Sequence, residues 1–406
     1  MSPRLRLHIW SHDLSGLGHT ARALAIAGYL SDRYSDSSIL LVTDLPIIGR
    51  LRFPPNVDYV RVPSLAGDNE FGSVGLKSLD PASTLRIRRK ILQGVAKTFR
   101  PDMIVVERDP LSLPNELERV LTFVRGELPQ AKVIWALTDV VGEPDSVVQS
   151  WKAAGVYGML DSLCDEVWVH GDRALFDQAS QYHLPPGIAA KVFYTGYLRS
   201  PQVNAERIRR EVPKQPRSPL VLVTTGGGAA GYPLVSSYLD FLEARSGRVH
   251  FDSVIVTGPM IFSAAKLKAR AERVPRLIFH RFSGHLLEYV SSADLVVSTG
   301  GYNTHCANLT YGKQAIVAPG MRPPNERLLR GRVFEGLGIT RVIAPTELGP
   351  ERLGDMVTSM ALNGEALWSN GHAPAISMDG LERIADRIET LAGTYGGRPP
   401  NGPPHR

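Results

Sequence analysis

Residues Asp13–Leu30 read DLSGLGHTARALAIAGYL, a glycine-rich turn and a histidine opening an Ala/Leu-rich helix that carries Arg22. His19 sits where the turn meets the helix. The partial positive charge of a helix start disfavours an imidazolium, so the ring is expected neutral. A neutral imidazole at physiological pH is a competent general base. The other reading is a residue that only caps or packs the helix start. Arg22, one turn on, reads as a surface charge or one close to a phosphate. Two carboxylates end apolar stretches, Glu107 in MIVVE and Asp139 in KVIWALTD. Each can take an acceptor proton, orient His19, or serve as a loop or N-cap carboxylate. His170 ends EVWVH and is expected as an acceptor-side contact.

A second chemistry is spelled by glycines. VTTGGGAAGYPLV (Val223–Val235) reads as strand, glycine turn and helix start. Glycine lets a ligand approach the backbone, and the helix start adds free N–H groups, so the turn can hold an anion. Thr225 can add a hydroxyl donor before Gly226, Gly227 and Gly228. The run is not a P-loop, since no Gly-Lys-Ser/Thr follows, and its spacing is not that of a dinucleotide fingerprint. STGGYNTHCANLTYG (Ser298–Gly312) repeats the form with Gly300, Gly301, Asn303 and Thr304. Asn303 and Thr304 can cap the helix or touch a ligand. Asn325 and Glu326, in APGMRPPNER, precede an amphipathic helix at the mouth of the same edge.

The elements that position these turns are short apolar strands alternating with amphipathic helices. Arg6–His12, Ser38–Asp44, Met103–Glu107, Lys132–Asp139 and Glu166–Gly171 read as strands of one half. Leu220–Gly228, Ser253–Gly258, Arg276–Phe282, Leu295–Gly301, Ala315–Gly320 and Thr340–Pro345 are those of the other. Such a rhythm predicts an α/β fold of two doubly wound parallel-sheet domains. Ligands then bind in a cleft outside the carboxyl ends of the strands. The boundaries read are 1–200 for the N-terminal domain and 201–374 for the C-terminal one. A closing helix follows at 375–392, and a disordered Gly/Pro-rich tail at 393–406.

The 406 residues carry 46 Lys plus Arg against 40 Asp plus Glu, a net charge of +6. The excess suits an anionic ligand or membrane surface, or is an ordinary basic surface. No basic block is dense enough for nucleic acid. RIRRK (Arg86–Lys90), the densest run, reads as one face of a helix. The two cysteines make no disulfide framework or zinc spacing, and Cys306 reads as a packed helix residue. No signal-peptide or membrane-spanning run is found, so a cytoplasmic location is expected. A weak peripheral membrane contact stays open through Leu76, Leu85, Ile87 and Ile91, which can form a shallow apolar patch.

SGLGHTARALAIA, VTTGGGAAG, ADLVVSTGGYNT and APGMRPPNER occur in that order, each at a strand end in the corresponding half. Together they resemble the GT-B nucleotide-sugar glycosyltransferases of family 28, over residues 5–392. The group is that of the peptidoglycan lipid-intermediate N-acetylglucosaminyltransferase and its bacterial relatives. The resemblance implies two Rossmann-like domains and a nucleoside-diphosphate sugar donor, UDP-linked. Thr225, Gly226, Gly227 and Gly228 would meet the diphosphate. Phe282 and Ser283 would hold the base through the backbone. Gly300, Gly301, Asn303 and Thr304 would form a phosphate-and-ribose turn, and Asn325 with Glu326 would read the sugar. Gly16, Gly18 and His19 would face the cleft from the acceptor domain. The sugar would pass to a hydroxyl or amine of a small-molecule or lipid-linked acceptor, with inversion. No Asp-x-Asp metal motif is suitably placed, so metal-independent chemistry without a cofactor is expected. Two positions depart from the family pattern. Ala307 replaces a glutamate that binds ribose, with Asn308 as its neighbour, and Asn325–Arg327 replaces an acid-glutamine pair. A nucleotide-sugar hydrolase, an epimerase and a non-catalytic nucleotide-sugar binder are the alternatives.

Overall fold

The computed structural model describes residues 5–13, 17–65, 67–69, 72–76, 78–111, 114–206, 208, 212, 218–228, 230–245, 248–320, 325–363 and 376–393. The first half builds a sheet from β1 (Arg6–Ser11), β2 (Ser38–Thr43), β3 (Val57–Arg61), β6 (Met103–Glu107), β7 (Lys132–Thr138), β8 (Glu166–His170) and β9 (Val192–Tyr194). All are parallel, in the order β3-β2-β1-β6-β7-β8-β9. A short antiparallel hairpin, β4 (Gly67–Asn69) and β5 (Gly72–Val74), lies apart. Helices α1 (Gly18–Arg33), α2 (Pro81–Phe99), α3 (Pro114–Glu127), α4 (Pro144–Ala153), α5 (Val156–Leu163), α6 (Gln178–Gln181) and α7 (Pro186–Ala189) connect the strands. The central strands are buried on both faces, which is why they read as continuous apolar runs. Asp80 caps α2 by accepting from the Ser83 amide, and Pro81 fits the first turn.

The second half repeats the plan with β10 (Leu220–Thr224), β11 (Asp252–Val256), β12 (Leu277–His280), β13 (Leu295–Ser298), β14 (Gln314–Val317) and β15 (Thr340–Val342). Their order is β12-β11-β10-β13-β14-β15, again all parallel. The helices are α8 (Tyr232–Ala244), α9 (Ala264–Ala271), α10 (Leu286–Ser292), α11 (Tyr302–Thr310), α12 (Glu326–Gly336) and α13 (Pro350–Asn363).

The closing helix, α14 (Gly380–Gly393), returns to the first domain. Ile384, Ala385 and Ile388 bury themselves in the cluster of Leu30 and Tyr34. Arg33 pairs with Asp386 and Glu389, and Arg387 with Glu166. Tyr302, Cys306 and Phe334 of the second domain belong to the same cluster, so the halves share apolar packing. Among the described residues no helix is long and apolar enough to cross a membrane. Of the tail read as disordered at 393–406, Gly393 ends the closing helix and the rest lies outside the described residues. Both cysteines are buried, and burial pushes each thiol up to about 12.

Two of the buried histidines, His8 and His305, are expected to make the fold acid-sensitive. Trp10 donates its indole N–H to His8 Nε2 at 2.7 Å, and His305 stacks on Phe334. Burial lowers each ring to about 3 from an ordinary value of 6.5. Between those values the unfolded chain binds protons that the folded chain refuses, so stability falls as pH drops. The expected slope approaches about 1.4 kcal/mol per pH unit for each histidine. Urea unfolding at pH 7.5 and 5 measures it, and His8→Phe should remove one proton's share. Equal stability at both pH values would contradict these buried neutral rings.

Candidate functional site

Helix α1 of the first half packs on α11 of the second, and Arg330 of α12 reaches Asp139 after β7. On the N-terminal side, Asp13 accepts from the His19 and Thr20 amides at 3.1 and 2.6 Å. The start of α1 is therefore already answered by a carboxylate. This corrects the expectation that an open helix start alone sets the charge of His19.

His19 Nδ1 lies 2.8 Å from Arg22 Nη2 and 3.8 Å from Glu107 Oε1. A guanidinium only donates, so in this arrangement Nδ1 accepts and a neutral ring carries its proton on Nε2. Arg22 is buried, not a surface charge. Its Nε donates to Glu107 at 2.5 Å and its guanidinium lies 5.3 Å from the centre of the Tyr302 ring. Glu107 is completely buried and also meets His170 Nε2 at 3.2 Å. Burial pushes its carboxyl up, but the Arg22 guanidinium and the neighbouring His170 and His19 rings outweigh this. The carboxyl is held well below its ordinary value. His170 is likewise buried, its Nδ1 beside Thr195 Oγ1 at 3.1 Å.

Asp139 does not meet His19. Its Oδ1 accepts from Arg330 Nε at 2.8 Å, and its Oδ2 from the Tyr197 hydroxyl at 3.2 Å. Gly171 packs on it so closely that an added Cβ would lie 2.7 Å from Asp139 Cβ. Glu107, Asp139 and His170 are all buried, and the partners they have here are protein groups. Gly18 opens α1, and Gly16 lies outside the described residues.

On the C-terminal side, Gly226 and Gly228 adopt φ of +63° and +104°. The turn interlocks with the loop after β11: a Cβ on Gly258 would lie 2.0 Å from the Gly226 carbonyl oxygen. Met260 N donates to the Gly227 carbonyl at 3.1 Å. Thr225 is buried and spends its hydroxyl on the Thr257 carbonyl, so it shapes the turn and is no free donor. A Cβ on Gly226 or Gly301 would meet nothing within 4 Å, so both positions border open space.

Gly300 (φ +78°) and Gly301 lead into α11, whose start has no side-chain cap. Its first-turn amides therefore keep the capacity to hold an anion. Asn303 does not cap. It reaches across and donates its amide to the Gly18 carbonyl at 3.1 Å, while Thr304 stays half-buried in the first turn. Phe282 is exposed beside Ser283, whose hydroxyl accepts from the His285 amide at 3.0 Å. Asn325 (φ +49°) starts α12 without a side-chain cap, and Glu326 is half-buried.

Ala307 is buried in an apolar cluster with Tyr289 and Val290, and Asn308 is buried as well. Neither amide atom of the Asn308 side chain has a hydrogen-bond partner among the described residues. The run Arg86–Lys90 lies in α2, where Arg88 is buried and paired with Glu116 and Asp44. Leu76 and Ile87 are exposed, with Leu85 and Ile91 half-buried beside them in sequence.

Tyr302 and Arg330 join the two halves at this site and were not singled out from the sequence. The guanidiniums of Arg22 and Arg330 lie 5.3 and 5.7 Å from the Tyr302 ring centre. Their partners are remote in sequence. Arg330 stands four residues after Glu326 on an amphipathic helix, a spacing that gives no cue to its burial.

With this geometry the chain can be set beside known proteins. Residues 220–388 match the glycosyltransferase family 28 C-terminal domain. The chain is 26% identical over 214 residues to a Rhodopseudomonas palustris (strain BisA53) protein. That protein is a UDP-N-acetylglucosamine–N-acetylmuramyl-(pentapeptide) pyrophosphoryl-undecaprenol N-acetylglucosamine transferase. The match covers 51% of this chain and spans 57% of the relative's length. The structure of the glycotransferase of kitacinnamycin superposes with a TM-score of 0.63 at 18% identity, over 96% of this chain and all of that one. Phytolacca americana UGT2, solved with UDP-2-fluoroglucose and pterostilbene, gives 0.65 at 12% identity, over 96% of this chain and all of that one. These likenesses show the two-domain GT-B fold.

Proposed function

We propose that this chain, a family 28-related protein on the GT-B frame, is a glycosyltransferase using a nucleoside-diphosphate sugar, UDP-linked. The observation that carries the reading is the contact of Asn303 with the Gly18 carbonyl at 3.1 Å. It brings the second glycine turn of the family 28 domain against the turn that bears His19. An acceptor hydroxyl between them attacks the anomeric carbon. A new glycosidic C–O bond forms as the bond to the diphosphate breaks, with inversion. The acceptor proton passes to His19 Nε2.

That step needs the tautomer with the proton on Nδ1. Glu107 Oε1, 3.8 Å away, is its acceptor once the Arg22 N–H leaves Nδ1. The leaving diphosphate is met by the Gly227 amide and the start of α11, since Gly226 N donates to Thr224 Oγ1 and Gly228 N to the Thr225 carbonyl, with no bound cation in the scheme. An acceptor on an apolar carrier, or the surface of a membrane, would find the exposed Leu76 and Ile87 on the N-terminal domain.

The test is calorimetric titration with UDP, dTDP and GDP, followed by product analysis with the matching sugars. One nucleotide is expected to bind in the micromolar range, and Gly227→Trp to abolish it by filling the turn. Release of nucleotide that depends on an added acceptor, giving an inverted glycoside by NMR, supports a transferase. Release with water alone makes the protein a hydrolase. Binding without release makes it a non-catalytic binder.

A further inference from the structure

Arg330 is fully buried on α12, between the two domains. In the N-terminal domain it reaches Asp139 Oδ1 at 2.8 Å, the Val140 carbonyl at 3.0 Å and Thr138 Oγ1 at 3.5 Å. In its own domain it donates to the Gly300 carbonyl at 3.4 Å and lies 5.7 Å from the Tyr302 ring centre. One turn earlier, Arg327 donates to Thr299 Oγ1 at 3.3 Å. The hydroxyl of Tyr302 in turn accepts from the Leu198 amide at 3.3 Å, on the segment joining the domains.

A guanidinium offers several donors in a rigid plane, so one side chain can hold groups of two domains in a fixed relation. Burying such a pair rarely adds stability over apolar packing. What it supplies here is geometry. The end of β7 and the Gly300 turn are tied to the same planar group, and the turn sits in its left-handed conformation under that tie.

We propose that Arg330 is a positioning residue, a clasp through which the Gly300–Tyr302 turn and the end of β7 move as one unit. A nucleoside diphosphate held at the turn then orders the acceptor-side strand end at 138–142. This consequence rests on the donor-site reading above, whereas the clasp itself does not.

Hydrogen exchange with and without UDP tests the coupling in the wild type, Arg330→Lys and Asp139→Asn. UDP is expected to slow exchange at 225–228 in all three. It should slow exchange at 138–142 in the wild type alone, by on the order of tenfold. A purely structural role would change basal exchange but not this nucleotide-dependent difference. Equal UDP responses at 138–142 in wild type and Arg330→Lys would overturn the proposal. So would protection of 225–228 in the wild type with none at 138–142.

If UDP, dTDP and GDP all leave 225–228 unprotected, the donor reading fails, and small-angle scattering without nucleotide decides the clasp. Arg330→Lys and Asp139→Asn should each broaden the interdomain distances, and the double variant should add nothing further. Unchanged scattering in both single variants, with native circular dichroism, refutes the clasp.

Discussion

His19→Ala is expected to lower kcat by about 10²–10⁴-fold, the usual worth of a positioned general base. Nucleotide affinity should be unchanged, because the imidazole stands on the N-terminal domain and the glycine turns on the other. In the proposed step Nδ1 must first give up the Arg22 N–H that it accepts here. The ring is partly exposed, while its two neighbours, Arg22 and Glu107, are buried. Arg22 holds one tautomer and Glu107 accepts from the other. Glu107→Gln should therefore also slow turnover, through loss of the charge that favours the proton on Nδ1. Single-turnover rates with calorimetry separate the two effects. A His19→Ala enzyme that binds nucleotide and turns over at the wild-type rate would remove the ring from the chemistry.

Glu107→Ala is expected to cost about 3–5 kcal/mol of stability, the loss seen when one member of a buried ion pair is removed. Arg22 would keep its charge with 5% side-chain exposure and no carboxylate, and His170 would lose its neighbour at 3.2 Å. Replacing both members, as Arg22→Met/Glu107→Leu, should recover much of that loss, since apolar groups of similar volume need no compensation. Urea unfolding compares the three. A single variant as stable as the wild type would show that the pair is not buried in solution.

The pH dependence follows from the direction of the shift. Glu107 is held below its ordinary value of 4.5, so its contribution is complete above that value. It is lost as pH falls through the lower, folded value. Glu107→Gln should remove that part of the acid sensitivity and leave the histidine part, which begins near 6.5.

Much of the frame was legible in the sequence because its signals are local. Met103–Glu107 is a strand with those same bounds, since five apolar-rich residues buried on both faces leave no ambiguity of period. Pro81–Phe99 is one of the amphipathic helices of that rhythm, and the structure shows Asp80 capping it. The edge strands β3 and β9 were not read, because they are short and half-exposed and their alternation is weak. The hairpin β4–β5 has strands of only three residues, too short to show a period.

The amino-acid sequence by itself determined two parallel α/β halves, the glycine turns at their strand ends, and His19 at a helix start. Each is encoded by neighbours within a few residues. Only the tertiary structure decided which charges meet. Arg22 finds Glu107 85 residues away, Arg330 finds Asp139 191 residues away, and α14 crosses back to the first domain. Such pairs obey no spacing rule. They form because a buried charge must be paired or hydrogen-bonded, and only the folded chain sets which ones are buried together.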